Sequence, residues 1–434
     1  MIPSRRLIYL AVALLAFGLA TVFWSALVFA WHAAAALSAA VCALDAALAR
    51  LAPAVSANRA TPGSLALGAW HRIRLRIRNA SGRVIEIAAF DHHPPSCDIR
   101  ALPQSVRIGA RAWAELEYEL KPLTRGALEF GPIEIRARSP LGLWQRRLRL
   151  GAPQMIRVYP NFAALSKYAL LAADQRLSQI GVRERPRRGE GLEFHQLREY
   201  REGDMQRQID WKATSRAGKL ISREYQDERD QNILFLIDCG RRLGAHDDAL
   251  SHFDHVLNAV LLLAYVSVRQ GDAAGFLTMS GHSRFMAPRK SAGTVTAMLN
   301  QLYDLQPTLS TSDYYAAAVE LMMRLRKRTL IVIVSNLRDE DEDTLAPALR
   351  LLGKRHLVLF ASLRESILSR ALKTRVDTHD RALTYAATAD YLRTRELAFR
   401  KLGRAGTQCL DVEPQDLPIA LVNRYLDIKR ARLL

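Results

Sequence analysis

From Leu7 to Ala49 the chain is almost continuously apolar, broken only by His32 and Asp45. A helix needs about 20 residues to cross a hydrocarbon core, so a run of this length predicts two spans joined by a tight turn. Trp24, Ser25 and Trp31 fall near the middle of the run, where aromatic side chains favour the membrane–water boundary and mark the turn. Arg5 and Arg6 precede the run, and Arg50 and Arg59 follow it. The positive-inside rule then puts both ends, and everything after them, in the cytoplasm. A cleaved signal peptide has a shorter apolar region. A single long tilted span is the alternative, and it places the rest of the chain outside.

Beyond residue 52 the pattern changes to period two. His71–Arg78, Val84–Phe90, Ala114–Leu120, Ile133–Arg138 and Gln154–Tyr159 alternate apolar and polar residues, and Asn79 to Gly82 and Pro94–Pro95 punctuate them as turns. Short strands at this spacing predict a small β-sandwich over 53–160. In His71–Arg78, Ile73, Leu75 and Ile77 share one face and arginines form the other, read as a solvated outer face with lipid headgroups as the alternative contact. His92 and His93 beside Pro94 read as a turn, since no further ligand stands at metal spacing.

From residue 231 apolar strands alternate with helices. Asn232–Asp238, Ala273–Met279, Thr329–Ser335, His356–Ser362 and Thr407–Val412 are the strands. Phe253–Arg269, Tyr314–Lys327, Asp343–Leu352, Arg381–Leu402 and Pro418–Lys429 are the helices. This predicts a doubly wound α/β domain over 231–434 with a parallel sheet covered on both faces. Ligands of such sheets bind beyond the carboxyl ends of the strands, here at Asp238 to Arg242 and at Ser335 to Asp339.

Between the two patterns lies a polar segment, 161–230. A helix is expected over Asn161 to Ile180 and a basic loop over Arg183 to Arg188. Gly189 to Tyr225 then mixes charges of both signs with Phe194, Leu197, Tyr200, Ile209 and Trp211. That aromatic and aliphatic content predicts an ordered, salt-bridged segment with Trp211 and Tyr200 as packed anchors. Asp204 and Asp210 stand among Arg198, Arg201, Arg207 and Lys212, which favours structural ion pairs over an acid/base couple. Gly189 and Gly191 lack the strand and the Gly-Lys-Ser/Thr of a phosphate loop.

The net charge of +19 (62 Lys and Arg against 43 Asp and Glu) favours anionic surfaces,. No nucleic-acid-binding signature accompanies it, so no nucleic acid is expected as partner. Cys42, Cys97, Cys239 and Cys409 are scattered, which suits reduced thiols. His246, Asp247, Asp248, His252, Asp254 and His255 are dense in donor types but read as a polar loop and helix start, and Asp339 to Asp343 reads as an acidic rim. No Ser or Cys stands in a nucleophile context.

An α/β domain whose first strand ends in Asp, with a second polar loop after a central strand, resembles a von Willebrand factor A domain. Such domains hold Mg²⁺ through Asp-x-Ser-x-Ser, a distant Thr and a later Asp. Here Asp238 matches the first Asp, but Gly240 and Arg242 stand where the serines belong, Thr311 (or Ser312) approximates the Thr, and Asn336 replaces the later Asp. No metal and no other cofactor is therefore expected, and Arg241 or Arg242 is the expected neutraliser of Asp238. Further blocks narrow the resemblance: Glu193-Phe194, Leu197-Arg198-x-Tyr200, Gly203-Asp204, Arg207-x-Ile209-Asp210-Trp211-Lys212 and Ser215-Arg216. With Thr124-Arg-Gly126, Ser139 to Leu143 and Asn423-x-Tyr425-x-x-x-Lys429 they resemble the bacterial domain of unknown function 58 family, membrane-anchored and carrying a degenerate A-like domain.

The resemblance implies no catalytic activity. It implies a scaffold or adaptor at the bacterial inner membrane, working with a MoxR-type AAA+ ATPase on an envelope-associated client. Arg198, Tyr200, Asp204, Arg207, Asp210, Trp211 and Lys212 are the expected partner-binding residues. The alternative is a metal-dependent binder or hydrolase built on Asp238 and the central Asp/Arg cluster.

Overall fold

In the computed structural model the described residues are 1–50, 54–161, 193–201, 206–226, 231–247, 250–338, 341–431 and 433, without the side chains of 193–196, 207, 224–226 and 342. The expected helix over 161–180, the basic loop after it, Gly189, Gly191, Gly203, Asp204, Asp248, Asp339 and Glu340 lie wholly or largely outside the described residues. The chain divides into two compact units, Met1–Tyr159 and Pro160–Leu434.

The first unit opens with helix α1, Arg5–Ala20, and helix α2, Val28–Arg50, joined through a short 3₁₀ turn at Ser25–Leu27. Trp31 does not mark the turn. Its indole Nε1 donates to Leu14 O at 3.0 Å, and Gly18 leaves the room it needs, since a Cβ there would stand 2.9 Å from Nε1. Among the described residues one helix, Ser25–Arg50, is long and apolar enough to cross a membrane. With 16 residues, α1 is about 24 Å long, short of a core of about 30 Å.

Three sheets follow. One runs in the order Ile2–Pro3, Trp144–Leu150, Ile133–Arg138, Ile85–Asp91, Gln104–Ile108. The second runs Val55–Ala60, His71–Asn79, Trp113–Pro122, Cys97–Arg100, and a third joins Ser64–Ala66, Gln154–Tyr159 and Gly126–Phe130. The period-two reading holds: Ile73, Leu75 and Ile77 are buried with Tyr118 and Leu120, while Ile85, Ile87, Ile133 and Ile135 are buried in the first sheet. On the solvent face Arg74 meets Glu117 at 3.2 Å and Glu115 at 3.6 Å, and Arg76 stacks over Trp113. The arginine row is thus matched by a glutamate row on the neighbouring strand.

Arg59 is not a membrane-flanking charge. It lies in the core, where Nε donates to Asp91 Oδ2 at 2.8 Å and Nη2 to Gly131 O at 2.7 Å, and the Tyr118 hydroxyl donates to the same Asp91 oxygen at 2.6 Å. Arg59 and Tyr118 belong to one sheet and Asp91 to the other, so a buried ion pair joins them.

His92 and His93 do not converge either. His92 Nε2 lies 3.1 Å from Glu134 Oε2, and His93 Nδ1 lies 2.9 Å from Pro94 O. Burial opposes the charged form of Glu134, yet hydrogen bonds from His92, Arg147 and Arg136 hold its pKa down at about 2. An unfolded glutamate titrates near 4.3. Because the folded pKa is the lower, this contribution is present above about pH 4.5 and lost as pH falls toward 2. Denaturant melts of the wild type should show that acid arm, and Glu134→Gln should flatten it. Equal arms in both proteins would count against the assignment.

The Ser139 to Leu143 loop holds the base of α2. Asp45 is buried; its carboxylate accepts from Ser139 Oγ at 2.5 Å and from the backbone N–H groups of Leu141 and Leu143 at 3.0 and 3.1 Å. Trp144 Nε1 donates to Cys42 O at 3.0 Å, and Ser4 Oγ to Gly142 O at 2.6 Å.

In the second unit a six-stranded sheet has the order Phe285–Arg289, Ala273–Met279, Asn232–Asp238, Thr329–Ser335, Leu357–Leu363, Gln408–Val412. The five expected strands are present and parallel. The sheet is nonetheless mixed, because Phe285–Arg289 pairs antiparallel with Ala273–Met279. The tight connection through Ser280 (φ 66) and Gly281 (φ 142) allows only a hairpin,. Pro288, which lacks an N–H, is tolerated at the sheet edge. Gly275 lets this strand approach, since a Cβ there would stand 2.4 Å from Met286 O.

Helices His252–Arg269, Tyr314–Arg324, Glu342–Gly353, His379–Arg404 and Leu417–Arg430 match the periodicity; Thr294–Leu302 and Ser366–Lys373 are additional. The closing Asn423 to Lys429 block is a tie. The Tyr425 hydroxyl and Lys429 Nζ both donate to buried Asp272, at the amino end of Ala273–Met279.

Candidate functional site

The strand Asn232–Asp238 is apolar from Ile233 to Ile237, and the sheet therefore delivers a buried carboxylate, Asp238, to its carboxyl end. Asp238 Oδ1 accepts from Gly240 N at 2.8 Å and Ser312 Oγ at 2.7 Å, and Oδ2 accepts from Ser335 Oγ at 2.5 Å. Ser335 Oγ also lies 2.8 Å from the Tyr314 hydroxyl. Burial and the nearby Asp238 charge push the Tyr314 phenol far above its usual range, so it stays protonated. Ser312, not Thr311, reaches the carboxylate; Thr311 is exposed. Gly240 is required by space, since a Cβ would stand 2.8 Å from Ser312 Oγ and 3.0 Å from Asp238 Oδ1.

Of the two neutralisers expected for Asp238, Arg241 and Arg242, the second is engaged elsewhere. Arg242 pairs with Asp341, and its Nη1 donates to Asn336 O at 3.3 Å. Asn336 turns the other way: its Nδ2 donates to Glu365 Oε1 at 2.8 Å, and its Oδ1 accepts from Arg395 Nη1 at 3.2 Å. Asp238 is stabilised by neutral donors and makes no ion pair among the described residues.

These residues do not fit a divalent cation. Mg²⁺ needs several oxygen lone pairs in octahedral array, whereas both Asp238 oxygens already accept protein hydrogen bonds and the later Asp is absent. Among the described residues no group of three or more His, Cys, Asp or Glu side chains could hold a metal. The His246 to His255 cluster resolves the same way. Asp254 closes a capping box with Ser251, and Asp247 Oδ2 accepts from Ser366 N at 3.1 Å and stands 3.2 Å from His252 Nε2.

Arg395, which the sequence reading passed over, organises the same edge. It is 3% exposed at its side chain. Its guanidinium donates to Leu337 O and Leu363 O, both at 2.7 Å, to Ser362 Oγ at 2.6 Å and to Asp411 Oδ1 at 2.9 Å. The available signal was Asp411, a lone carboxylate between Leu410 and Val412 in the last strand, which favours a cation beside it,. Beside this network, Asp247, Ser366, Arg370, Lys373 and Glu413 line a cleft of 420 Å³, with Ser369 Oγ donating to Glu413 at 2.5 Å.

In the central block, Glu193–Glu199 and Ile221–Gln226 form an antiparallel pair, and the helix Trp211–Ala217 lies between them in sequence. Asp210 caps that helix: Oδ1 accepts from Lys212 N at 3.0 Å and Ala213 N at 3.1 Å, and Oδ2 from Arg223 Nε at 2.9 Å. Those bonds, Ala213 N–H foremost, hold its pKa below the usual carboxylate value. Asp210 is thus a structural anion. Gly218 ends the helix at φ 65. Tyr200 is half-buried, and Arg198 Nη1 donates to Glu199 O at 3.1 Å. Trp211 is not a packed anchor: it is 68% exposed, in the first turn of the helix, and Leu197 and Leu220 are also exposed.

Residues 196–390 match the family described as "Protein of unknown function DUF58". The DUF58 match takes in the central block from Gln196 onward and all of Asp238, Gly240, Arg242, Thr311 and Asn336; Arg395, Asp411 and the Tyr425 tie lie beyond it. The chain is also similar to "Uncharacterized protein YeaD" of Bacillus subtilis (strain 168), with 24% identity over 172 residues, 38% of this chain and 39% of that protein. It therefore spans about two-fifths of the length of this curated relative. Among solved structures it is similar to a PapD-like domain of human CEP192 (11% identity, 24% of this chain, 84% of that chain, TM-score 0.19). A second is an Escherichia coli alpha-2-macroglobulin (18% identity, 25% of this chain, 17% of that chain, TM-score 0.23). Both likenesses are too slight to transfer a fold or a ligand.

Proposed function

We propose that this protein is a non-enzymatic, membrane-anchored scaffold or adaptor that acts with a MoxR-type AAA+ ATPase on an envelope-associated client. In this reading α1 and α2 form a hairpin in a bacterial inner membrane, and the second unit is a degenerate von Willebrand A-like domain facing the cytoplasm. The observation that carries it is the exposure of Trp211. The polar groups of the other hallmark blocks are turned inward: Ser139 to Leu143 onto Asp45, Tyr425 and Lys429 onto Asp272, Asp238 onto Ser312 and Ser335. Among the described residues of these blocks, the central one holds a large aromatic ring out to solvent, on a helix capped by Asp210 and ended by Gly218. An exposed tryptophan in a segment rich in arginine has the composition of an interface hot spot,.

The test is capture of the ATPase by the full chain from detergent-solubilised membranes. Trp211→Ala should cut capture by about tenfold or more, the size of a hot-spot loss, with the melting temperature unchanged because the ring packs on little. Undiminished capture would move the contact off this block. Failure of the wild type to capture any such ATPase, together with saturable Mg²⁺ binding lost in Asp238→Ala, would favour the metal-dependent alternative.

A further inference from the structure

Where the two apolar helices meet the β-sheets, the first unit contains a concave site of 370 Å³ that the proposed function does not use. Five arginines line it, Arg6, Arg83, Arg107, Arg138 and Arg146, against one carboxylate, Glu86. Arg138 Nη1 donates to Glu86 Oε1 at 2.7 Å, which leaves the site with a formal excess of positive charge. Arg146 Nη1 donates to Arg50 O at 2.9 Å, which ties the site to the last turn of α2. Arg6 and Arg107 make no hydrogen bond or ion pair among the described residues. Arginines left unpaired and converging on one concavity are an anion site, because the planar guanidinium matches the two oxygens of a phosphate. The contrast with the other sheet is direct, since Arg74 and Arg76 there are matched by Glu115 and Glu117.

We infer that this site binds the phosphate of an anionic phospholipid headgroup. The inference rests on the membrane-anchor reading, and its position selects lipid over a free anion. Arg6 lies in the first turn of α1, and Ala49 and the Arg50 carbonyl lie in the last turn of α2, so the site stands where both apolar helices would leave the bilayer. Its rim carries exposed Val84, and the loop that grips α2 carries exposed Leu141, apolar groups suited to the acyl boundary. Basic pockets at the ends of membrane helices on the cytoplasmic side are built to hold such headgroups.

The experiment uses the full chain in vesicles of phosphatidylcholine alone or mixed with phosphatidylglycerol. Flotation with both kinds tests the anchor, and native mass spectrometry of the protein released into mild detergent counts the lipid retained. Wild type should retain phosphatidylglycerol in preference to phosphatidylcholine. Arg107→Ala/Arg138→Ala should lower that retention about tenfold or more, as loss of two interfacial cations predicts. Arg107→Lys/Arg138→Lys, which keeps the charge but loses the planar fork, should fall between wild type and the alanine variant, and Arg74→Ala/Arg76→Ala should change nothing. Both target side chains are exposed, so melting temperatures should agree across the set. Flotation with equal retention in wild type and the alanine variant would overturn the inference and leave the anchor standing. Failure to float on phosphatidylcholine would overturn the anchor and the lipid source with it. Inorganic phosphate that displaces the lipid and binds the detergent-solubilised chain as tightly would assign the site to a free anion instead.

Discussion

Asp91→Ala is expected to destabilise the first unit by about 3–5 kcal/mol, the range for removing one member of a buried ion pair. The carboxylate is fully buried, and its loss leaves the Arg59 guanidinium, itself 4% exposed at its side chain, without a counter-charge. The Tyr118 hydroxyl loses its acceptor at the same time. Burial and the Asp91 charge both push that phenol above its ordinary pKa, so it stays a donor across the accessible pH range. Asp91→Asn keeps one acceptor and the shape, and should fall between. Tryptophan fluorescence is a suitable probe, since five of the six tryptophans (all but Trp211) lie in the first unit. A shift equivalent to less than about 1 kcal/mol, the level of an exposed pair, would show that the pair is hydrated and not a core element.

Arg395→Met should cost the second unit a similar amount, about 3–5 kcal/mol. Methionine fills much of the same volume but removes the guanidinium donors to Leu337 O and Leu363 O, leaves Ser362 Oγ with only the Leu337 N–H as donor, and takes from Asp411 its closest cation. The damage should be local in its first expression. Gln408–Val412 is an edge strand held to Leu357–Leu363 on one side, so hydrogen exchange should accelerate there well before it does in Asn232–Asp238. Unchanged protection in Gln408–Val412 would mean that the guanidinium is replaceable by water and that the edge is held by its apolar side chains.

Periodicity made most of the fold legible. Alternation in His71–Asn79 named its buried face, and the apolar runs at Asn232–Asp238 and Thr329–Ser335 named the centre of the sheet. What was missed had no periodic signature. Phe285–Arg289 is short, carries a proline and pairs on one side only; Ser366–Lys373 is two turns long. The site was harder for a different reason. Asp238, Gly240 and Arg242 are neighbours in the chain, but their chemistry is decided by Ser312, Ser335 and Asp341, 74 to 99 residues away. Local spacing suggested that Arg241 or Arg242 answers Asp238, and only the fold shows Arg242 answering Asp341. Trp211 failed likewise: its residue type announces a large contact area, but nothing in the flanking sequence says whether the chain itself or another molecule supplies the other surface.

The grip on Asp45 fixes more than a loop. Three donors from Ser139 to Leu143 hold one carboxylate, and Ser4 is pinned to the same turn, so neither helix can roll about its own axis or slide without dragging that β-turn along. The joint behaves as a keyed shaft and not as a hinge. Any tilt imposed on the helices becomes a swing of the β-sheets through the same angle, and a torque applied to the sheets is felt along α1 and α2.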